Sequence, residues 1–144
     1  MGHNQGIEID GESRIGFLYK MQKHFDVRDI DYFKKLLGHE DNVIRTRAVC
    51  ILAEIGGRRA VKAICDTLKN DKDALVRHEA AFALGQLGET EALVTLSQSL
   101  DSDPSLFVRH EAAIAVGVIG SELGRDMLHQ ALTDESKEVR DQLE

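Results

Sequence analysis

The sequence predicts an all-α solenoid of about four two-helix repeats. Three observations carry that prediction. Arginines recur at 45, 77, 109 and 140, in steps of 32, 32 and 31, and Gly56, Gly88 and Gly120 repeat the step of 32; self-similarity at such a period marks stacked helical units. Four residues before each arginine stands Asp41, Asp73, Ser105 or Ser136, types whose side-chain oxygens accept from the free N–H groups of a helix start. One proline, no tryptophan and 5% aromatic residues leave little from which to build strands and their turns.

The elements follow in chain order. Met1 to Asp10 mixes glycine with polar residues and lacks the basic stretch and apolar run of a secretory signal; residues 1–12 are expected to form a flexible arm. The repeat domain then covers 13–144. Ser13 to Phe25 carries Ile15, Leu18 and Tyr19 at helical spacing and predicts a helix that caps the first repeat. The first helix of each repeat is expected near 29–37, 60–69, 90–100 and 123–132, where pairs such as Ile64 and Leu68 share a face. The second helices start at the capping residues and run 42–55, 74–87 and 106–119, each ended by glycine, which enters positive φ without a Cβ clash. A fourth unit has Ser136 and Arg140 and is incomplete. One unit cannot bury its apolar face alone, so neighbours must stack. The arginine column is expected to pair with inter-helix aspartates such as Asp41, Asp73 and Asp103, tying each repeat to its neighbour.

Composition excludes several functions. Hydrophobic residues make up 42% and charged residues 30%, and no apolar run approaches the ~18 residues of a membrane span. Eighteen Lys and Arg against 25 Asp and Glu leave a net charge of -7; an acidic surface repels phosphate backbones and favours cationic partners. Neither nucleic acid nor a membrane is an expected partner. Cys50 and Cys65 form neither a disulfide framework nor a CxxC zinc signature, and both are expected as small buried side chains in a reducing, cytoplasmic setting.

The residues that stand out follow the arginines. Val76-Arg77-His78-Glu79-Ala80-Ala81 recurs unchanged as Val108-Arg109-His110-Glu111-Ala112-Ala113, whereas the first repeat has Thr46-Arg47 at the His-Glu positions and the fourth has Asp141-Gln142. His39-Glu40 lies six residues before Arg45 and falls in a turn. At 100° per residue, Val76, Ala80, Ala83, Leu84 and Leu87 form the core face of their helix, and His78 lies nearly opposite, among Ala81, Phe82 and Gly85. His110 has Ala113, Ile114 and Gly117 around it. A solvated helix face normally carries Lys and Glu, and mid-helix glycine costs ~1 kcal/mol against alanine, so a close neighbour is expected on this face. Imidazole with carboxylate suits iron, zinc or manganese, and stacked helices ~8–10 Å apart allow His78 and His110 to converge on one ion. Adjacent residues diverge by 100°, so His78 and Glu79 do not readily serve the same ion. Two histidines are too few ligands, and a second copy related by a two-fold axis is the simplest source of the rest.

The pattern V-R-x-x-A-A-x-A-L-G-x-L-G resembles HEAT-like repeats over residues 29–144. The run from His78 to Leu87, followed by Val108 to Ala113, further resembles deoxyhypusine hydroxylase, a HEAT-repeat di-iron oxygenase with two halves of four repeats. The order here, with His-Glu only in the two middle repeats, is that of one half. The resemblance implies that His78 and His110 hold one iron and that Glu79 reaches the iron of an opposing subunit, giving two irons per homodimer. Glu111 would orient a cationic substrate or coordinate more weakly. Glu79 and Glu111 are then the catalytic carboxylates, and the implied reaction inserts oxygen from O2 into a C–H bond of a lysine-derived side chain. Ile114 departs from the family, which often has a polar residue there. The alternative is a non-catalytic HEAT-repeat scaffold akin to the phycobilisome-lyase group, binding a partner helix on its concave face. In that case the two dipeptides are copies left by repeat duplication and no cofactor is needed.

Overall fold

A computed structural model describes residues 8–9 and 12–133. The rest of the expected arm, and Ser136, Arg140 and the end of the fourth repeat, lie outside the described residues. The chain is an all-α repeat array. Glu8–Ile9 (β1) and Glu12–Ser13 (β2) add a two-residue antiparallel ladder, pairing Glu8 with Ser13 and Ile9 with Glu12. Helix α1 spans Arg14–Asp26, and its cap is Ser13, whose Oγ accepts from the Gly16 N–H at 3.1 Å. The repeats follow as α2 (Ile30–Leu36) with α3 (Asn42–Ile55), α4 (Val61–Asn70) with α5 (Ala74–Leu87), and α6 (Leu93–Ser102) with α7 (Leu106–Thr133). Single 3-10 turns, Gly57–Ala60 and Thr90–Ala92, lead into α4 and α6.

Two layers result. Helices α3, α5 and α7 pack side by side, α4 packs on α5, and α6 packs on α7. The predicted stripe is the core: Val76, Ala80, Ala83 and Leu84 are buried with Leu87 half-buried against them, and the equivalents Ile44, Ala48 and Leu52 and then Val108, Ala112, Ala115 and Ile119 are buried as well. Ile64, Leu68 and Leu96 meet them from the first-helix layer. Side chains pointing back along each helix interlock with the next, so every repeat supplies half of a shared core.

The second helices begin where expected. Asp41 Oδ1 accepts from the Val43 N–H and Asp73 Oδ1 from the Leu75 N–H, each at 2.8 Å. The ends are less uniform. Gly88 takes φ 68 and closes α5 as expected. Gly56 is right-handed at φ -91, and the positive φ passes to Gly57 at φ 53; at Gly56 a Cβ would meet both Ala60 Cβ and Leu52 O at 2.7 Å, so closeness is what requires glycine there. Gly120 does not end its helix. α7 runs on through the segment expected as a separate helix at 123–132, because glycine permits a left-handed turn without imposing one and no proline follows it, so Ser121 continues the helix instead of capping a new one. The extension passes the end of α5, where a Cβ on Gly88 would stand 3.0 Å from Glu122 Oε2.

The arginine ladder exists with a different register. Arg45 pairs with Asp71 through Nε at 2.9 Å and Nη2 at 3.2 Å, and Arg77 repeats both distances on Asp103. Asp103 was expected as a partner, whereas Asp41 and Asp73 are not partners. Their carboxylates are already committed to their own helix starts, and Asp73 also accepts from Asn42 Nδ2 at 2.6 Å. That bond, followed by the Leu75 N–H, holds the Asp73 carboxyl below its ordinary pKa. Each arginine also donates to main-chain oxygen: Arg45 Nη1 to His39 and Glu40, Arg77 Nη1 to Asp71, and Arg109 Nη1 to Asp103. Each of these three guanidiniums thus joins the turn before its helix, and the first two also clamp the turn of the next repeat.

Candidate metal-binding and docking face

The two His-Glu dipeptides lie in the first half of α5 and of α7, on the side of that layer away from the first helices. His78 is partly exposed and Glu79 half-buried, His110 is exposed and Glu111 half-buried. The predicted opposition of histidine and core is observed. Contacts run between repeats. His78 Nε2 stands 3.3 Å from Glu111 Oε2, with the His78 side chain 37% exposed and that of Glu111 14%. Glu79 turns the other way: its Oε1 accepts from Cys50 Sγ at 3.1 Å. The divergence of adjacent residues therefore sends His78 forward to the third repeat and Glu79 back to the first.

The described side chains thus bring together His78 with Glu111; His110 has no described place in that pair. Two donors each about 2.0–2.2 Å from one ion, at tetrahedral or octahedral angles, stand about 3.0–3.5 Å apart. The His78–Glu111 separation fits that span without movement. Among the described residues no group of three or more His, Cys, Asp or Glu side chains is gathered so as to hold a metal ion. The pair is a ligand set to which further donors must be added.

Cys50 corrects an expectation. Cys65 is buried, but Cys50 is exposed, because it occupies the same repeat position as Phe82 and Ile114 on the free side of the layer. Desolvation, the hydrogen bond to Glu79 and the charge of Glu79 push its thiol up to about 12. A thiol so suppressed is a poor nucleophile and a poor ligand at neutral pH. Sequence reasoning placed Cys50 in the core because cysteine is small and apolar; its register with Phe82 was the available signal.

The close neighbour expected at Gly85 comes from within the chain. A Cβ there would meet Ala115 Cβ at 3.0 Å and its Cα at 3.2 Å, so glycine lets α5 and α7 approach. Gly117 has nothing comparable within 4 Å. Around the dipeptides Leu75, Phe82, Phe107 and Ile114 are exposed, and Leu75, Phe107 and His78 line a cleft of about 330 Å³ between the starts of α5 and α7. His39 sits in the turn before α3, where Nδ1 accepts from the Asp41 N–H at 3.0 Å and the ring meets Phe17 edge-on.

A family model described as HEAT repeats matches residues 30–117, the stretch from α2 into α7. The chain belongs to the HEAT-repeat family. No curated protein matches it. HEAT arrays commonly act in protein interactions, and the α3–α5–α7 layer of this HEAT-repeat protein presents exposed apolar side chains together with histidine and glutamate. Among the described residues no helix is long and apolar enough to cross a membrane.

Proposed function

We propose that this HEAT-repeat protein is a metal-binding module that works as a homodimer in a reducing, cytoplasmic setting, with the two α3–α5–α7 faces holding iron between them. The His78–Glu111 pair carries this reading: an imidazole and a carboxylate of successive repeats already stand at a ligand-to-ligand distance on a partly open surface. His110, and Glu79 from the second copy, are the residues available to complete the shell. Bound iron would supply O2 activation, as in the di-iron oxygenases that the His-Glu order resembles. The protein's own part is to position. Glu111 and His78 present Oε2 and Nε2 side by side to the ion, the acidic carboxylates draw in an amine-bearing lysine-derived side chain, and Leu75, Phe82, Phe107 and Ile114 exclude water around it.

The test is anaerobic reconstitution with Fe(II), gel filtration, and iron analysis alongside solution mass. Iron bound stoichiometrically to a species of twice 16.0 kDa, and lost on combining His78→Ala with His110→Ala, is the expected result. Iron no higher than in the double variant ends the metal reading. A metal-free docking scaffold is the second reading, favoured by the exposed apolar residues around the pair; it predicts that the double variant leaves partner binding intact.

A further inference from the structure

The cover that each repeat gives to the one before it stops at the third. Leu68 of α4, with α6 packed beside it, is 1% exposed, whereas its equivalent on α6, Leu100, is 36% exposed. Cys65 is buried and its equivalent Ser97 is exposed. On the second helices Val49 and Ala81 are buried but Ala113 is exposed, and Leu52 and Leu84 are buried where Val116 is half-buried. The guanidinium ladder stops at the same place. Arg45 and Arg77 each hold a carboxylate of the next repeat, Asp71 and Asp103. Arg109 keeps its bond to the Asp103 main-chain oxygen, but among the described residues no carboxylate pairs with it.

The sequence beyond Gly120 carries the missing parts in register. Asp71 and Asp103 stand six residues before Arg77 and Arg109, and Asp134 stands six before Arg140. Counted back from Asp134, Leu123, Met127 and Ala131 take the positions of Ala60, Ile64 and Leu68 in α4 and of Ala92, Leu96 and Leu100 in α6. All of those but Leu100 are buried. The shorter last step of the repeat falls in the turn, where Gly120 and Leu123 are three apart while Gly56 and Ala60, and Gly88 and Ala92, are four apart. In the continuous α7, Leu123 is 38% exposed. We infer that α7 is a two-state element hinged at Gly120 and Ser121. In one state it is the continuous helix from Leu106 to Thr133. In the other, residues 123–133 fold back antiparallel as the first helix of a fourth repeat, cover Leu100 and Val116, and bring Asp134 to the Arg109 guanidinium. Apolar match and opposite charge select this segment of the chain itself as the occupant of the open end. The helix gives way most readily at Gly120, a poor helix former whose added Cβ would meet nothing within 4 Å. The hinge requires no metal and goes beyond the metal reading.

Spin labels at Phe107→Cys and His129→Cys, with Cys50→Ala and Cys65→Ala removing the native thiols, read the two states by pulsed dipolar spectroscopy. The labelled positions are 22 residues apart, about 33 Å along a continuous helix. Folded back, they lie on neighbouring helices with axes about 8–10 Å apart, and the labels approach within about 20 Å. Both distances are expected in the parent labelled chain. Ser121→Pro removes an N–H that the continuous helix uses and is tolerated in the first turn of a new one, and should raise the short-distance fraction about threefold. Asp134→Asn, which contacts Arg109 only in the folded-back state, should lower that fraction about threefold, and Gly120→Ala should lower it too. Circular dichroism confirms that each variant keeps its helices. A single distance in the parent chain, long or short, overturns the two-state element. A short-distance fraction indifferent to Asp134→Asn overturns the pairing with Arg109. A short distance that is lost when the labelled chain is refolded with excess unlabelled chain comes from a second copy, and overturns the assignment of the open end to the chain's own segment.

Discussion

Asp103→Asn removes one charge from an ion pair while keeping the shape of the side chain. Asp103 takes two hydrogen bonds from Arg77, at 2.9 and 3.2 Å, and a third from the Ser105 N–H at 2.9 Å. The two side chains are only 11% and 5% exposed. Loss of the carboxylate leaves the guanidinium out of water without its counter-charge, which costs about 3–5 kcal/mol for buried pairs. The whole domain holds about 5–15 kcal/mol. With a urea slope of about 2 kcal/mol/M, the midpoint should fall by about 1.5 M or more. The control is Arg58→Ala: its pair with Glu91 is equally short at 2.8 Å but 74% and 45% exposed, and pairs of that kind contribute about 0–1 kcal/mol. Exchanging both buried partners, Arg77→Met with Asp103→Leu, should cost less than Asp103→Asn alone, since no unpaired charge remains. The assay is urea unfolding followed by helical circular dichroism. If Asp103→Asn moves the midpoint no further than Arg58→Ala, the ladder is not what joins the repeats.

The two mid-helix glycines should respond with opposite sign. Gly117→Ala should raise stability by about 0.5–1 kcal/mol through helix propensity, whereas Gly85→Val should lower it by more than about 1 kcal/mol, because α7 lies against that position; thermal melts compare them. Cys50 should alkylate far more slowly at pH 8 than an unhindered thiol, and Glu79→Ala, which removes both the hydrogen bond and the charge that follow desolvation among the causes of its raised pKa, should speed the reaction; equal rates in the two proteins would sink the contact. Above pH 9 the unfolded chain loses this thiol proton before the folded chain does, so stability should decline between about 9 and 12, less so in Cys50→Ala. Asp29 caps α2 and bonds His24 Nδ1 at 2.8 Å, which lowers its carboxyl pKa. That contribution is present above the ordinary carboxylate value near 4 and is lost as pH falls through the lowered one; His24→Ala should move the carbon-13 titration midpoint of Asp29 upward.

Short-range signals made the repeats legible. Asp41 and Asp73 lie two residues from the N–H groups they cap, Gly88 one residue past the helix it ends, and the stripe from Val76 to Leu84 within three turns. Such features act through the local backbone and period, so α3 and α5 were readable to the residue. Gly120 failed as a stop because a glycine's conformation is chosen by what surrounds it, and there the continuous helix wins.

What lay beyond the sequence is the offset between neighbouring helices. Arg45 finds Asp71 rather than Asp41 or Asp73, His78 meets Glu111 while Glu79 meets Cys50, and Ala115 explains Gly85. Each contact joins residues 26 to 33 positions apart, and the crossing geometry of packed helices sets how far one helix slides against the next. The sequence by itself determined the period, the caps, the core stripe and the faces bearing the His-Glu dipeptides. Tertiary packing decided which members of successive repeats touch, because a shift of one residue along a neighbouring helix turns a side chain by 100° and exchanges one partner for another.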